Sequence, residues 1–152
     1  MKVADGFWLN KKGYNVDYAS QAYKVETTKD SIKVLATPYF VKNRGMTLGG
    51  PNLEITYSST SENIIKVHID HYRGGLDNIP RFELNEDTGF TPVINKTEEQ
   101  VELVSGNTRV VVKTGDTWDV AFYFKDKLLT GGGWRSTSKP VYGKCTYGTS
   151  GR

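Results

Sequence analysis

Apolar residues in this chain recur at every second position in short runs closed by turn residues, and no segment carries the spacing of an amphipathic helix. Leu53, Ile55 and Tyr57 alternate with Glu54, Thr56 and Ser58, the pattern of a half-buried strand ending in Ser58-Ser59-Thr60-Ser61. Ala22 to Glu26 and Ile32 to Ala36 flank the polar turn Thr28-Lys29-Asp30-Ser31 and predict a hairpin. A second hairpin is predicted from Val101 to Val104 and Thr108 to Lys113 around Ser105-Gly106-Asn107. Trp118, Val120, Phe122 and Phe124 then point one way and Asp119, Ala121 and Tyr123 the other, before a turn at Lys125-Asp126-Lys127. Short strands at this rhythm predict an all-β fold, an antiparallel β-sandwich.

At 152 residues the chain buries about 68–70% of its unfolded surface, enough for one core without disulfides or metals. The lone Cys145 has no partner for an internal disulfide, and one cysteine with two histidines is too few for an ordinary structural zinc site. Phosphate-binding loops, His-Glu-x-x-His pairs and nucleophile elbows are absent, so neither a cofactor nor a metal is expected. From Leu128 to Arg152 there are four basic residues and no acid, which leaves 16 basic and 17 acidic residues in the rest. A near-neutral body argues against a nucleic-acid partner. No apolar run approaches 18 residues and the N-terminus has no hydrophobic stretch, so no membrane association is expected and the expected location is cytoplasmic.

Chemistry concentrates in Val67 to Leu84, which holds both histidines, three acids and a Gly-Gly pair. Ile65, Val67, Ile69 and His71 fall on one strand face, and Lys66, His68, Asp70 and Tyr72 on the other. A buried strand is expected to leave its sheet at Gly74-Gly75 and feed a polar loop that returns at Phe82. Asp70, His71, Tyr72, Arg73, Asp77 and Asn78 are the polar and aromatic groups that this loop would aim at a ligand or a protein interface. Alternatively they are ordinary strand-end polars beside a satisfied histidine. A further alternative makes Asp70 and Asp77 a pair of glycosidase acids.

Aromatic residues divide by pattern. Trp118, Phe122 and Phe124 form either a sugar-stacking stripe or, as period two and Val120 favour, part of the core. Trp8 reads as an anchor for the N-terminus. Trp134 follows Gly131-Gly132-Gly133, read as a flexible joint, and lies outside the strand pattern, so it is the candidate for a contact surface or for stacking on a sugar. The expected organisation is a sandwich over residues 1–133 and a polar Gly/Ser/Thr-rich tail over 134–152, either a truncation end or a diverged strand.

The opening Met1-Lys2-Val3-Ala4-Asp5-Gly6-Phe7-Trp8-Leu9, the run Val67 to Leu84 with Pro80, and Ser105-Gly106-Asn107 ahead of Thr117-Trp118 together resemble one family. It is the bacterial alpha-xylosidases of glycoside hydrolase family 31, and the resemblance is to their N-terminal domain, collinear to about Gly132. The resemblance implies a galactose-mutarotase-like supersandwich packed on a (β/α)8 barrel whose aspartates perform retaining catalysis. A barrel needs about 250 residues, so no catalytic residue is expected in this chain. The implied partners are that barrel, further subunits and xylosides. Beyond Gly133 the chain departs from the family pattern. Three readings follow: an accessory domain of such an enzyme, a free-standing carbohydrate-binding module using Trp134, Tyr72 and Asn78, and a purely structural or oligomerisation domain.

Overall fold

The computed structural model of the chain describes residues 9–70, 86, 89–115 and 117–142, the last two by backbone alone. Among the described residues eleven strands run in order: β1 (Tyr14–Tyr18), β2 (Gln21–Thr27), β3 (Ser31–Thr37), β4 (Leu53–Ser61), β5 (Ile64–Asp70), β6 (Val93–Lys96), β7 (Gln100–Ser105), β8 (Thr108–Lys113), β9 (Val120–Phe124), β10 (Lys127–Gly132) and β11 (Ser138–Tyr142). Between β3 and β4 lies a short 3-10 turn, Arg44–Leu48, capped by Asn43, whose Oδ1 accepts from Met46 N at 3.2 Å.

All pairings between these strands are antiparallel. One sheet has the order β2-β3-β4-β5, a second β10-β9-β8-β7-β6, and β1 with β11 makes a separate ribbon. The first two pack face to face, β3 and β4 against β7 and β5 against β8. Their inward residues make the core: Ile32, Val34 and Ala36 of β3, Leu53, Ile55 and Tyr57 of β4, Val101 and Leu103 of β7, Val110 and Val112 of β8, with Trp118 and Val120. Each such aliphatic side chain gains about 1.5–3 kcal/mol from burial, which selects the register, since a slip by one residue would turn the set outward. The sandwich expected from period-two alternation is therefore present, with both predicted hairpins in place.

The ribbon is stitched to the sandwich through the backbone. Ala19 N donates to Thr137 O at 2.9 Å, Ser20 N to Thr37 O at 2.8 Å, and Trp118 N to Ser20 O at 2.9 Å. Alternation did not foresee β1, β6, β10 or β11. Within the tail, Ser138–Tyr142 forms a strand.

Three expectations are corrected. Gly131 and Gly132 are not a loose joint but the end of β10. A Cβ on Gly131 would stand 2.7 Å from Val120 O and one on Gly132 2.2 Å from Ser136 Cβ, so these glycines serve close packing. Strand β5 forms as expected but is not buried: Val67 is 43% and Ile69 48% exposed. Among the described residues it is the end strand of its sheet, and of its apolar face Ile65 packs against the core while Val67 and Ile69 do not reach it. Phe124 is exposed as well, because β9 ends there in a two-residue turn with Lys125 and Asp126 both at positive φ, which carries the ring to the rim.

Candidate contact surface

Asp70 ends β5 opposite Glu54 of β4, on the outer face with His68. Strand geometry places residues i and i+2 side by side, and His68 Nε2 lies 3.0 Å from Asp70 Oδ2. The histidine is exposed and the carboxylate half-buried. Asp70 is thus engaged within its own strand. His71, Tyr72, Arg73, Asp77 and Asn78, with Trp8, lie outside the described residues. Among the described residues no group of three His, Cys, Asp or Glu could hold a metal ion, and no helix is long and apolar enough to cross a membrane.

Trp134 stands in the turn between β10 and β11 and is 62% exposed. Its surroundings are well built. The guanidinium of Arg135 sits 4.3 Å from the Trp134 ring centroid and 5.2 Å from that of Tyr18, while the two rings are 6.1 Å apart and tilted by 54°. Arg135 takes a left-handed backbone, φ +73°, strain that this packing offsets. Ser136 anchors the turn: its Oγ accepts from Trp118 Nε1 at 3.2 Å and lies 2.7 Å from Gly133 O, to which Ser136 N donates at 3.1 Å. An exposed tryptophan is therefore held on a rigid turn pinned to a core tryptophan. Sequence pattern singled out Trp134 but missed Tyr18, which belongs to the unforeseen ribbon, and Arg135, whose only signal was its adjacency.

A cleft lies elsewhere, between the outer edge of β2 and the β6–β7 turn. It measures about 560 Å³ and is lined by Gln21, Tyr23, Lys96, Thr97, Glu98 and Thr114 among others. Nothing in the alternation pattern marks it, because it depends on a bulge in β2 at Tyr23.

The ionisable groups pushed from their ordinary ranges are those of surface ion pairs and one core phenol. Hydrogen bonding to Glu26, 2.6 Å away, raises the Lys24 ammonium and lowers the Glu26 carboxyl. The bond to Asp119 raises Lys113, and burial raises Tyr57.

No protein-family model matches the chain. Curated proteins do, among them two alpha-xylosidases. An alpha-xylosidase of Emericella nidulans is 31% identical over 144 residues, covering 90% of this chain and 18% of the relative. Alpha-xylosidase XylQ of Lactiplantibacillus pentosus is 26% identical over 141 residues, 92% of this chain and again 18% of the relative. Together with the antiparallel fold, these matches make the chain similar to one domain of larger glycoside hydrolases. More particularly, it matches the N-terminal domain of alpha-xylosidases, and it spans less than a fifth of their length.

Proposed function

We propose that the chain acts as a non-catalytic accessory domain of an alpha-xylosidase-like retaining glycoside hydrolase, packing on a (β/α)8 catalytic barrel supplied by the rest of such an enzyme. The observation that carries this is the asymmetry of coverage: nine-tenths of this chain matches, but only 18% of each relative. A barrel takes about 250 residues, more than the 152 of this chain. The exposed apolar side chains of β5 and the Trp134 turn are surface that an accessory domain would cover by docking. Asp70, His71, Tyr72, Arg73, Asp77 and Asn78 are proposed as its contribution to the sugar-pocket rim or a subunit interface. The proposed setting is the cytoplasm, where a lone Cys145 stays a thiol.

The chain alone should not hydrolyse a chromogenic alpha-xyloside; turnover that survives repurification would overturn the reading and send attention to Asp70 and Asp77. A chimera of XylQ carrying this chain in place of its matching segment should keep alpha-xyloside hydrolysis, and a folded but inactive chimera counts against it. The exposure of Trp134 favours a second reading, a free-standing carbohydrate-binding module, in which Trp134→Ala abolishes sugar binding.

A further inference from the structure

Edge strands of a sandwich offer unpaired backbone groups to any added strand. The outer edge of β2 is closed in two places. Lys96 Nζ, from the opposite sheet, donates to Val25 O at 3.0 Å, and Gly115 forms an isolated bridge with Ala22. Too little free edge remains between these points for an extended peptide to pair. Between them β2 bulges: Ala22 pairs with Ala36 and Lys24 with Leu35, so Tyr23 has no opposite residue on β3. Bulges commonly re-aim a side chain at a functional surface. Here the bulged residue is an aromatic, 44% exposed, on the wall of this cleft.

The other side of the cleft is polar and rigid. Thr97 N donates to Gln100 O at 2.8 Å, Gln100 N to Thr97 Oγ1 at 3.1 Å, and Thr114 N to Glu99 O at 2.8 Å, which fixes the turn carrying Lys96, Thr97 and Glu98. A preorganised rim loses little entropy on binding. Lys96 and Glu98 are of opposite sign, so the cleft suits a ligand without net charge that both donates and accepts hydrogen bonds. The volume, about 560 Å³, is that of a small-molecule site. Gly115, at φ +98° with nothing within 4 Å of an added Cβ, leaves the mouth open.

We propose that this cleft binds a neutral pyranose ring of an oligosaccharide, one ring face against Tyr23 and its hydroxyls on Glu98, Lys96 and Thr97. The choice of a sugar among neutral polyols rests on the glycoside hydrolase reading; the placement at Tyr23 rests on the cleft alone. The site would hold a substrate chain beside the catalytic part without taking part in bond cleavage.

The test is an amide-resolved NMR titration of the whole chain with an alpha-xylosyl-glucose disaccharide into the tens of millimolar. Shifts should appear at Tyr23, Lys96 to Glu98 and Thr114-Gly115, with Kd on the order of 1 mM. Tyr23→Ala should weaken binding about tenfold, a cost of roughly 1.4 kcal/mol. Tyr23→Phe should keep most of it, Glu98→Ala should weaken it severalfold in a fully folded chain, and Trp134→Ala should leave it unchanged. No saturable shifts, shifts confined to Trp134 and Arg135, or equal affinity in Tyr23→Ala would each overturn the proposal. The accessory reading stands or falls separately, on the chimera's hydrolysis.

Discussion

Ser59 of β4 donates a hydrogen bond to Ser105 Oγ of β7 at 2.8 Å, joining the two sheets through a pair of buried hydroxyls. Each serine continues an inward alternation, Leu53, Ile55, Tyr57, Ser59 on one strand and Val101, Leu103, Ser105 on the other. Ser105 donates in turn to Ser61 O at 3.1 Å. Buried polar groups are tolerated when they satisfy one another. Ser59 Oγ also lies 2.7 Å from Ile64 O and 2.9 Å from Ser61 O, so Ser105→Ala leaves it partnered and should cost only about 0.5–1.5 kcal/mol in urea unfolding. The double variant with Ser59→Ala should cost less than the sum of the two single ones. Simple additivity would show that the pair is not coupled.

Trp118 and Trp134 share an anchor in Ser136 but occupy opposite environments, 1% and 62% exposed. In a Trp8→Phe background, iodide should quench the emission of Trp134 and leave that of Trp118 nearly untouched. Trp118→Ala should cost about 3–5 kcal/mol of stability. Trp134→Ala should change stability by less than about 1 kcal/mol, because the residue mainly faces solvent. A large loss at Trp134 would mean that its stack on Tyr18 and Arg135 holds the ribbon in place.

Local alternation carried most of the sandwich, because Leu53, Ile55 and Tyr57 or Val110 and Val112 meet the same kind of neighbour whichever strand pairs beside them. It could not supply what depends on long-range partners. Ile65, Val67 and Ile69 alternate as cleanly as a core strand, yet Val67 and Ile69 lie exposed at the end of the described sheet, a position that composition does not encode. The β1 ribbon needs residues over 120 positions apart, Tyr14 with Tyr142, so neither half reads as a strand alone. Gly131-Gly132 looked like a hinge because local sequence cannot distinguish a glycine required for freedom from one required for space. At the candidate sites, Trp134 was legible from its place after the glycines, whereas Tyr23 needed the bulge to be seen.

Gly106, in the turn between β7 and β8, has φ +57°, and an added Cβ would stand 2.6 Å from Asn63 Oδ1 and 2.7 Å from Glu62 Cγ. That turn is clasped by its neighbour between β4 and β5: Asn107 N donates to Asn63 Oδ1, and Thr108 Oγ1 donates to Asn63 O at 3.1 Å. Gly106→Ala meets both left-handed strain and this collision. It should lose about 1–3 kcal/mol, visible as a lower urea midpoint at unchanged slope. Asn63→Gly should cost less, since it keeps the φ of +64° accessible and removes only the side-chain acceptor. If Gly106→Ala is neutral, the two turns do not clasp in solution.

Burial of the Tyr57 phenol ties the stability of the fold to alkaline pH. Its ring is 2% exposed, packs against Phe122 at 6.5 Å, and is desolvated enough to raise its ionisation well above the ordinary phenol value. The native state holds this proton more tightly than the unfolded chain, where the phenol titrates near about 10. The contribution is thus complete below about pH 10 and is lost as pH climbs from there toward the raised native value. Lys24 and Lys113, also raised by their carboxylate partners, lose their contributions in the same direction as pH rises through their native values, so loss of stability at high pH is not by itself diagnostic. Tyr57→Phe separates the two. It removes the phenol and leaves both lysine pairs intact, so its unfolding free energy should fall less steeply above about pH 10 than that of the parent. Absorbance near the phenolate band should then show one tyrosine of the parent ionising only as the fold is lost. Parallel pH profiles for parent and variant would show that Tyr57 reaches solvent before the sandwich opens.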